Sequence, residues 1–377
     1  LSGGVRVAAE RAAAEGASSP AYQMFLRRLI VRLSSISSSP IHTGDHSEHD
    51  SQKEVDWPVD RNYAVVGVAV NYGMDELRRF VGSLRATGYL GTIVLGVSSN
   101  LSQECLRYLK RHHVEIRFLT PKKQAEDGVH GGFYSVALPR WKMYQEWVEE
   151  SMFSNGTRFF LTDTRDVYFQ RNPFEDLQYE TSYDLFMFEE WSNKTVGTCR
   201  HNSDWIRSCW GKSMLDIIAQ HPIICSGTII GSRQGITSLV DAFILEAARV
   251  KTLQHEVDGK AQHGRPCVND QAYLNVLMRG LRSDSLATLK SSTKIFSQGD
   301  GPVNTIGWVA VSGSIVRDDD GFVLNNDGRR SAVVHQYDRD LTLQAWLDAK
   351  FVHVLDPIHT PWTAGKMYSE ELRTVKI

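Results

Sequence analysis

Two carboxylates three residues apart, Asp163 and Asp166, stand where an apolar run stops: Arg158-Phe159-Phe160-Leu161-Thr162-Asp163-Thr164-Arg165-Asp166-Val167-Tyr168-Phe169-Gln170. The first five residues read as a strand, and the chain turns apolar again before Asn172-Pro173-Phe174. Carboxylates at the C-terminal end of a strand suit a hard divalent cation, and such a cation can bridge the two phosphates of a nucleoside diphosphate. The same residues also suit an acidic turn or a surface Asp–Arg pair, with no chemistry at all.

Other apolar runs also end in residues with chemical use. Tyr183 to Phe188 is a strand ending at Glu189-Glu190, and Ser331 to Val334 is one ending in His335, where a lone histidine is usually structural. Pro222 to Ser232 reads as a buried strand followed by a helix from Ile236; Gly227 within it is small enough for a ligand, or another chain segment, to come close. Asn269-Asp270-Gln271 opens a helix running to Arg282, and Asp270 there suits an N-cap. Leu138 to Tyr144 begins a helix carrying Arg140 and Lys142, whose default role is a solvated charge.

Something must position these residues, and the pattern from residue 61 onward supplies it. Tyr63 to Val70 (YAVVGVAV) and Gly91 to Ser98 (GTIVLGVS) are continuous apolar, β-branched runs, as expected of strands buried on both faces. Helical spacing follows each, over Met74 to Thr87 and Ser102 to His112, and Glu115 to Leu119 is a third short strand. This β-α-β-α-β opening predicts a parallel sheet, the start of a Rossmann-like half, with a nucleotide at the carboxyl ends of its strands. No G-x-G-x-x-G follows the first strand and no G-x-x-x-x-G-K-[ST] occurs, so a dinucleotide fingerprint and a P-loop are both missing.

Taken in order over residues 61 to 345, these segments resemble the GT-A glycosyltransferases. The specific part is FFLTDTRDVYFQRNPF, which is similar to the DxD region of nucleotide-diphospho-sugar transferases; it departs from a strict D-x-D in having Thr164 and Arg165 between the acids. The resemblance implies an α/β, GT-A-like fold with a mostly parallel central sheet flanked by helices. Aligning on Val167 implies Asp166 as the metal ligand, with Asp163 a second ligand or a contact to the donor, and Arg165 beside them on the donor side. It implies His335 as the last ligand of Mn2+ (or Mg2+), Gly227 and Gln271 at the sugar, and Asp270 on the donor sugar or the acceptor hydroxyl. Arg140 or Lys142 would neutralise a departing diphosphate. The implied reaction displaces a nucleoside diphosphate, UDP by resemblance, from a sugar by a hydroxyl of a glycan or glycoprotein acceptor. An inverting enzyme needs a carboxylate base, for which Glu189, Glu190 and Asp270 are candidates; inverting and retaining chemistry both stay open. The rivals are a metal-dependent phosphoesterase and an inactive carbohydrate-binding relative.

Composition sets outer bounds. The net charge is −2 with both signs spread along 377 residues, so no nucleic-acid footprint exists. No stretch approaches the roughly 18 to 20 apolar residues of a membrane-spanning helix; the expectation is a membrane link only through an anchor outside this sequence. Residues 1–58, rich in Ala, Gly, Ser and His around the basic-apolar run 25–33, read as a stem, and 59–377 as the catalytic domain. Five cysteines without CxxC spacing argue against zinc, and Cys199 and Cys209 suggest a short closed loop. Sequons at Asn100, Asn155 and Asn193 tilt the expectation to the Golgi or endoplasmic reticulum lumen.

Overall fold

The computed structural model describes residues 60–119, 139–177, 180, 182–257, 267, 269–280 and 291–353. The expected stem and its basic-apolar run lie outside them. Strands β1 (Asp60–Ala69), β2 (Gly91–Ser98), β3 (Val114–Leu119), β4 (Arg158–Thr162), β6 (Leu185–Glu189), β7 (Ile224–Ser232) and β8 (Thr293–Phe296) form one sheet in the order β3-β2-β1-β4-β7-β6-β8. Only β7 runs antiparallel to its neighbours. The mostly parallel α/β architecture expected from the alternating pattern is therefore present.

Strand periodicity explains why both faces are covered. Successive side chains point to opposite faces, and here both sets are apolar. Val65, Ile93, Leu95, Phe160 and Phe186 join one core, while Ala64, Val66, Val94, Phe159, Leu161, Leu185 and Met187 join the other. The first core is closed by α1, a continuous helix over Met74–Leu77, Arg78–Gly82 and Ser83–Ala86 with a π-helical middle, and by α2 (Gln103–Arg111), N-capped by Ser102. The second is closed by α3 (Pro139–Val148), α5 (Arg233–Val257) and α6 (Asp270–Arg279).

A second sheet begins just after β4 in the chain. Its strands β5 (Val167–Phe169), β9 (Val303–Thr305) and β10 (Val333–His335) lie in the order β5-β10-β9, with β10 antiparallel to β5 and parallel to β9. Helix α4 (Arg200–Ile218) starts at the buried Cys199 and is interrupted at Gly211, where φ is 82°, a left-handed conformation that favours glycine.

The cysteine expectation needs correcting: Cys209 pairs with Cys267, and Cys199 is a buried free thiol. Ten residues of helix between Cys199 and Cys209 span about 15 Å at 1.5 Å per residue, twice what a disulfide reaches.

One buried amide ties α6 to β7. Asn275, fully buried, accepts from Ile224 N (2.9 Å) and donates to Ile224 O (2.9 Å) and Gln271 O (2.8 Å). Asn275→Ala strands a backbone N–H and C=O inside the protein, so urea denaturation should show a loss of about 1–3 kcal/mol; an unchanged midpoint would contradict this role.

Candidate functional site

The turn from Asp163 to Asp166 is fixed by both sheets. In the first, Thr162 pairs with Thr228, and Asp163 N donates to Gly227 O at 2.7 Å. In the second, Val167 pairs with His335, and Gln336 N donates to Asp166 O at 2.7 Å. Thr164 between them donates its hydroxyl to Val68 O on β1 (2.7 Å). The result gathers Asp163, Asp166 and His335: His335 Nε2 lies 3.5 Å from Asp163 Oδ2 and 3.7 Å from Asp166 Oδ1. The backbone comes so close that a Cβ on Gly227 would collide with Asp163 Oδ2 and His335 Cε1, and one on Gly67 with the Thr164 methyl.

These three residues offer two oxygens and one nitrogen within 4.8 Å of one another. His335 Nε2 is buried without a hydrogen-bond partner among the described residues. A buried polar atom normally has one, and a mixed carboxylate–imidazole set suits Mn2+ or Mg2+. The residues therefore fit a divalent cation.

On the Asp163 side, charge in the cluster is balanced by Arg140. Arg140, on α3, pairs with Asp163 and with Asp270, to whose Oδ2 its Nε also donates (2.9 Å). Burial opposes the charge on Asp163, yet Arg140 and His335 hold its carboxyl well below the usual range. Burial lifts Asp166 above the usual range despite His335, with the charge of Asp163 adding to the rise. Burial also works against an imidazolium at His335, but contacts with Cys225, Asp163 and Asp166 hold its proton well above the ordinary histidine range.

The other expected residues divide into two groups. Asp270 is at the site as an anchor: Oδ2 also accepts from Trp141 Nε1 (3.1 Å) and Oδ1 from Ser226 Oγ (3.1 Å). It is not the helix cap; Asn269 is, accepting from Ala272 N. Gln271 reaches from Ser226 N (3.5 Å) to Asn202 (3.3 Å). Arg165 lies 3.2 Å from Asp338 and 3.6 Å from Asp166. Away from the cluster's contacts are Lys142, exposed and donating to Gln145 (2.9 Å), and Glu189, paired with Arg279 and accepting from Ser297 (3.2 Å). Glu190 is buried and accepts from Trp308 Nε1 at 3.0 Å; burial raises its carboxyl above the usual range.

Two clefts of about 310 Å³ lie nearby. One, at the carboxyl ends of β1 and β2, is lined by Asn71, Tyr72, Met74, Ser98, Leu101 and Ser102. Burial and the charge of Asp163 push the Tyr72 hydroxyl up to about 12. The other is lined by Glu190, Asn202, Trp205, Gln271, Trp308 and Gln336. Tyr72, Trp205 and Trp308 escaped the sequence reading because single aromatics carry no spacing signal.

A protonated His335 cannot ligate a metal, so a bound cation must expel that proton. Mn2+ affinity should therefore rise with pH, by about tenfold per unit while the ring is still protonated, and level off only above the ordinary histidine pKa of roughly 6.5. Calorimetric Mn2+ titrations across that range check this; a pH-independent affinity would remove His335 from the ligand set.

No family model matches the chain, and no curated protein matches it by sequence. Solved structures that overlap it include glycosyltransferases. An active-site variant of LgtC is 13% identical, with 78% of this chain and 98% of that one covered and a TM-score of 0.47. Galactosyltransferase LgtC in complex with donor and acceptor sugar analogues is 12% identical, over 78% and 98%, at 0.44. Mouse xyloside xylosyltransferase 1 is 13% identical, over 72% and 97%, at 0.40. With each of these overlaps below 0.5, what the site can do rests on its own side chains.

Proposed function

We propose that this chain is a metal-dependent glycosyltransferase that moves a sugar from a nucleoside-diphosphate donor, a UDP-sugar by resemblance, to a hydroxyl of a glycan or glycoprotein. The observation that carries the reading is the buried, unpartnered His335 Nε2 facing Asp163 and Asp166 at the end of β4. These three residues would hold Mn2+ or Mg2+, and the cation supplies charge stabilisation to a departing diphosphate.

The surrounding residues have separable tasks in this reading. The cleft with Tyr72 lies at the carboxyl ends of β1 and β2, where open α/β sheets bind nucleotides. Arg140 presents a positive charge beside Asp163, held in place by Asp270 and Trp141. Asp270 already accepts four donors, which favours a positioning role over that of a base. Glu190 opens instead onto a cleft walled by Trp205 and Trp308, whose flat faces suit a sugar ring. A buried carboxyl with a raised pKa is a suitable acceptor for a hydroxyl proton.

A secretory lumen, Golgi or endoplasmic reticulum, is part of the proposal, with residues 1–58 as a stem. The Cys209–Cys267 disulfide supports an oxidising compartment, and Asn100, Asn155 and Asn193 are all exposed.

The direct test is thermal stability with UDP, with and without Mn2+. A ligand that binds only the native state raises its melting temperature by mass action, so UDP should stabilise the protein strongly with Mn2+ and little in EDTA. Equal stabilisation in both would overturn the metal–diphosphate site. Once a donor–acceptor pair is found, Glu190→Gln should lower kcat by on the order of 10²–10⁴ while leaving Mn2+-dependent UDP binding intact; unchanged turnover would exclude Glu190 as the base.

A further inference from the structure

His335 is held from two sides. Its Nε2 faces the two carboxylates, and its Nδ1 lies 3.4 Å from Sγ of Cys225. Both residues are about 1% exposed, so water does not reach Nδ1 freely. Cys225 sits on β7 two residues before Gly227, whose missing side chain lets the His335 ring come against this strand.

An imidazole that offers its Nε2 lone pair to a cation must carry its remaining proton on Nδ1. That N–H needs an acceptor, and the partner of a metal-bound histidine's second nitrogen fixes both tautomer and ring orientation. We propose that Cys225 is the positioning residue for the metal site: its sulfur accepts the Nδ1–H of His335, so the ring keeps Nε2 aimed at Asp163 and Asp166. The bond persists whether Nε2 carries a proton or meets a cation, so metal binding requires no turn of the ring. This role rests on the glycosyltransferase reading only in so far as that reading puts a cation at this cluster.

A buried cysteine also serves as a small apolar filler, and the two roles differ in what they predict. The experiment compares wild type, Cys225→Ala and Cys225→Ser by calorimetric Mn2+ titration with saturating UDP. The tautomer of His335 is read by nitrogen NMR of histidine-labelled protein loaded with Mg2+. A positioning role predicts an Nδ1–H tautomer in the wild type and about tenfold to a hundredfold weaker Mn2+ binding in Cys225→Ala. Cys225→Ser, which keeps an acceptor in place, restores most of that affinity. A filler role predicts a lower melting temperature for Cys225→Ala with wild-type Mn2+ affinity, and that outcome, or an Nε2–H tautomer in the loaded wild type, overturns the proposal while leaving the metal site standing. A wild type that binds no Mn2+ even with UDP overturns the proposal and the glycosyltransferase reading together.

Discussion

The short turn between β4 and β5 belongs to two sheets at once, and the rest of the site depends on that double attachment. On its first side β4 is fixed between β1 and β7; on its second, β5 is paired with β10. Four residues thus have no freedom to drift, and their carboxylates meet a histidine that arrives from 169 positions later in the chain by strand register alone. Gly67 and Gly227 follow from the same constraint: the turn is pressed against β1 and β7 so closely that neither position has space for a side chain.

Bringing two carboxylates together away from water is unfavourable unless opposite charge is supplied. Arg140 supplies it from α3, and Asp270 and Ser226 in turn orient the arginine from α6 and β7. Asn275 then ties α6 to β7 one turn further along. The chain of dependence therefore runs from Asp163 at a strand end, through the Arg140 guanidinium, to the packing of two helices on the sheet. A divalent cation, were one bound, would bring two positive charges in place of the single proton on His335 and so relieve the remaining repulsion.

Most of the framework was legible because it is local. Continuous apolar runs located β1, β2 and β4, helical spacing located α1 and α2, and the acidic pair fell where the strand ended. What could not be read was set by pairing over long separations or by the phase of an element. Glu189 and Glu190 are adjacent, so strand alternation sends them to different surroundings; only the fold reveals that Arg279 takes the first and Trp308 the second. On α3 the buried positions Trp141, Tyr144, Gln145, Trp147 and Val148 turn Lys142 to solvent, whereas Arg140 at the start of the helix reaches inward. The partner of Cys209 lay 58 residues away, and spacing alone pointed to Cys199 instead.

The proposed role of Asp163, Asp166 and His335 is to hold together a divalent cation that a nucleoside diphosphate shares. Anomalous diffraction at the manganese edge, from crystals grown with Mn2+ and UDP, addresses it without assuming any donor or acceptor. One strong anomalous peak is expected within bonding distance of all three side chains, contiguous with diphosphate density. A peak elsewhere, or UDP bound with no anomalous signal at this cluster, would contradict it.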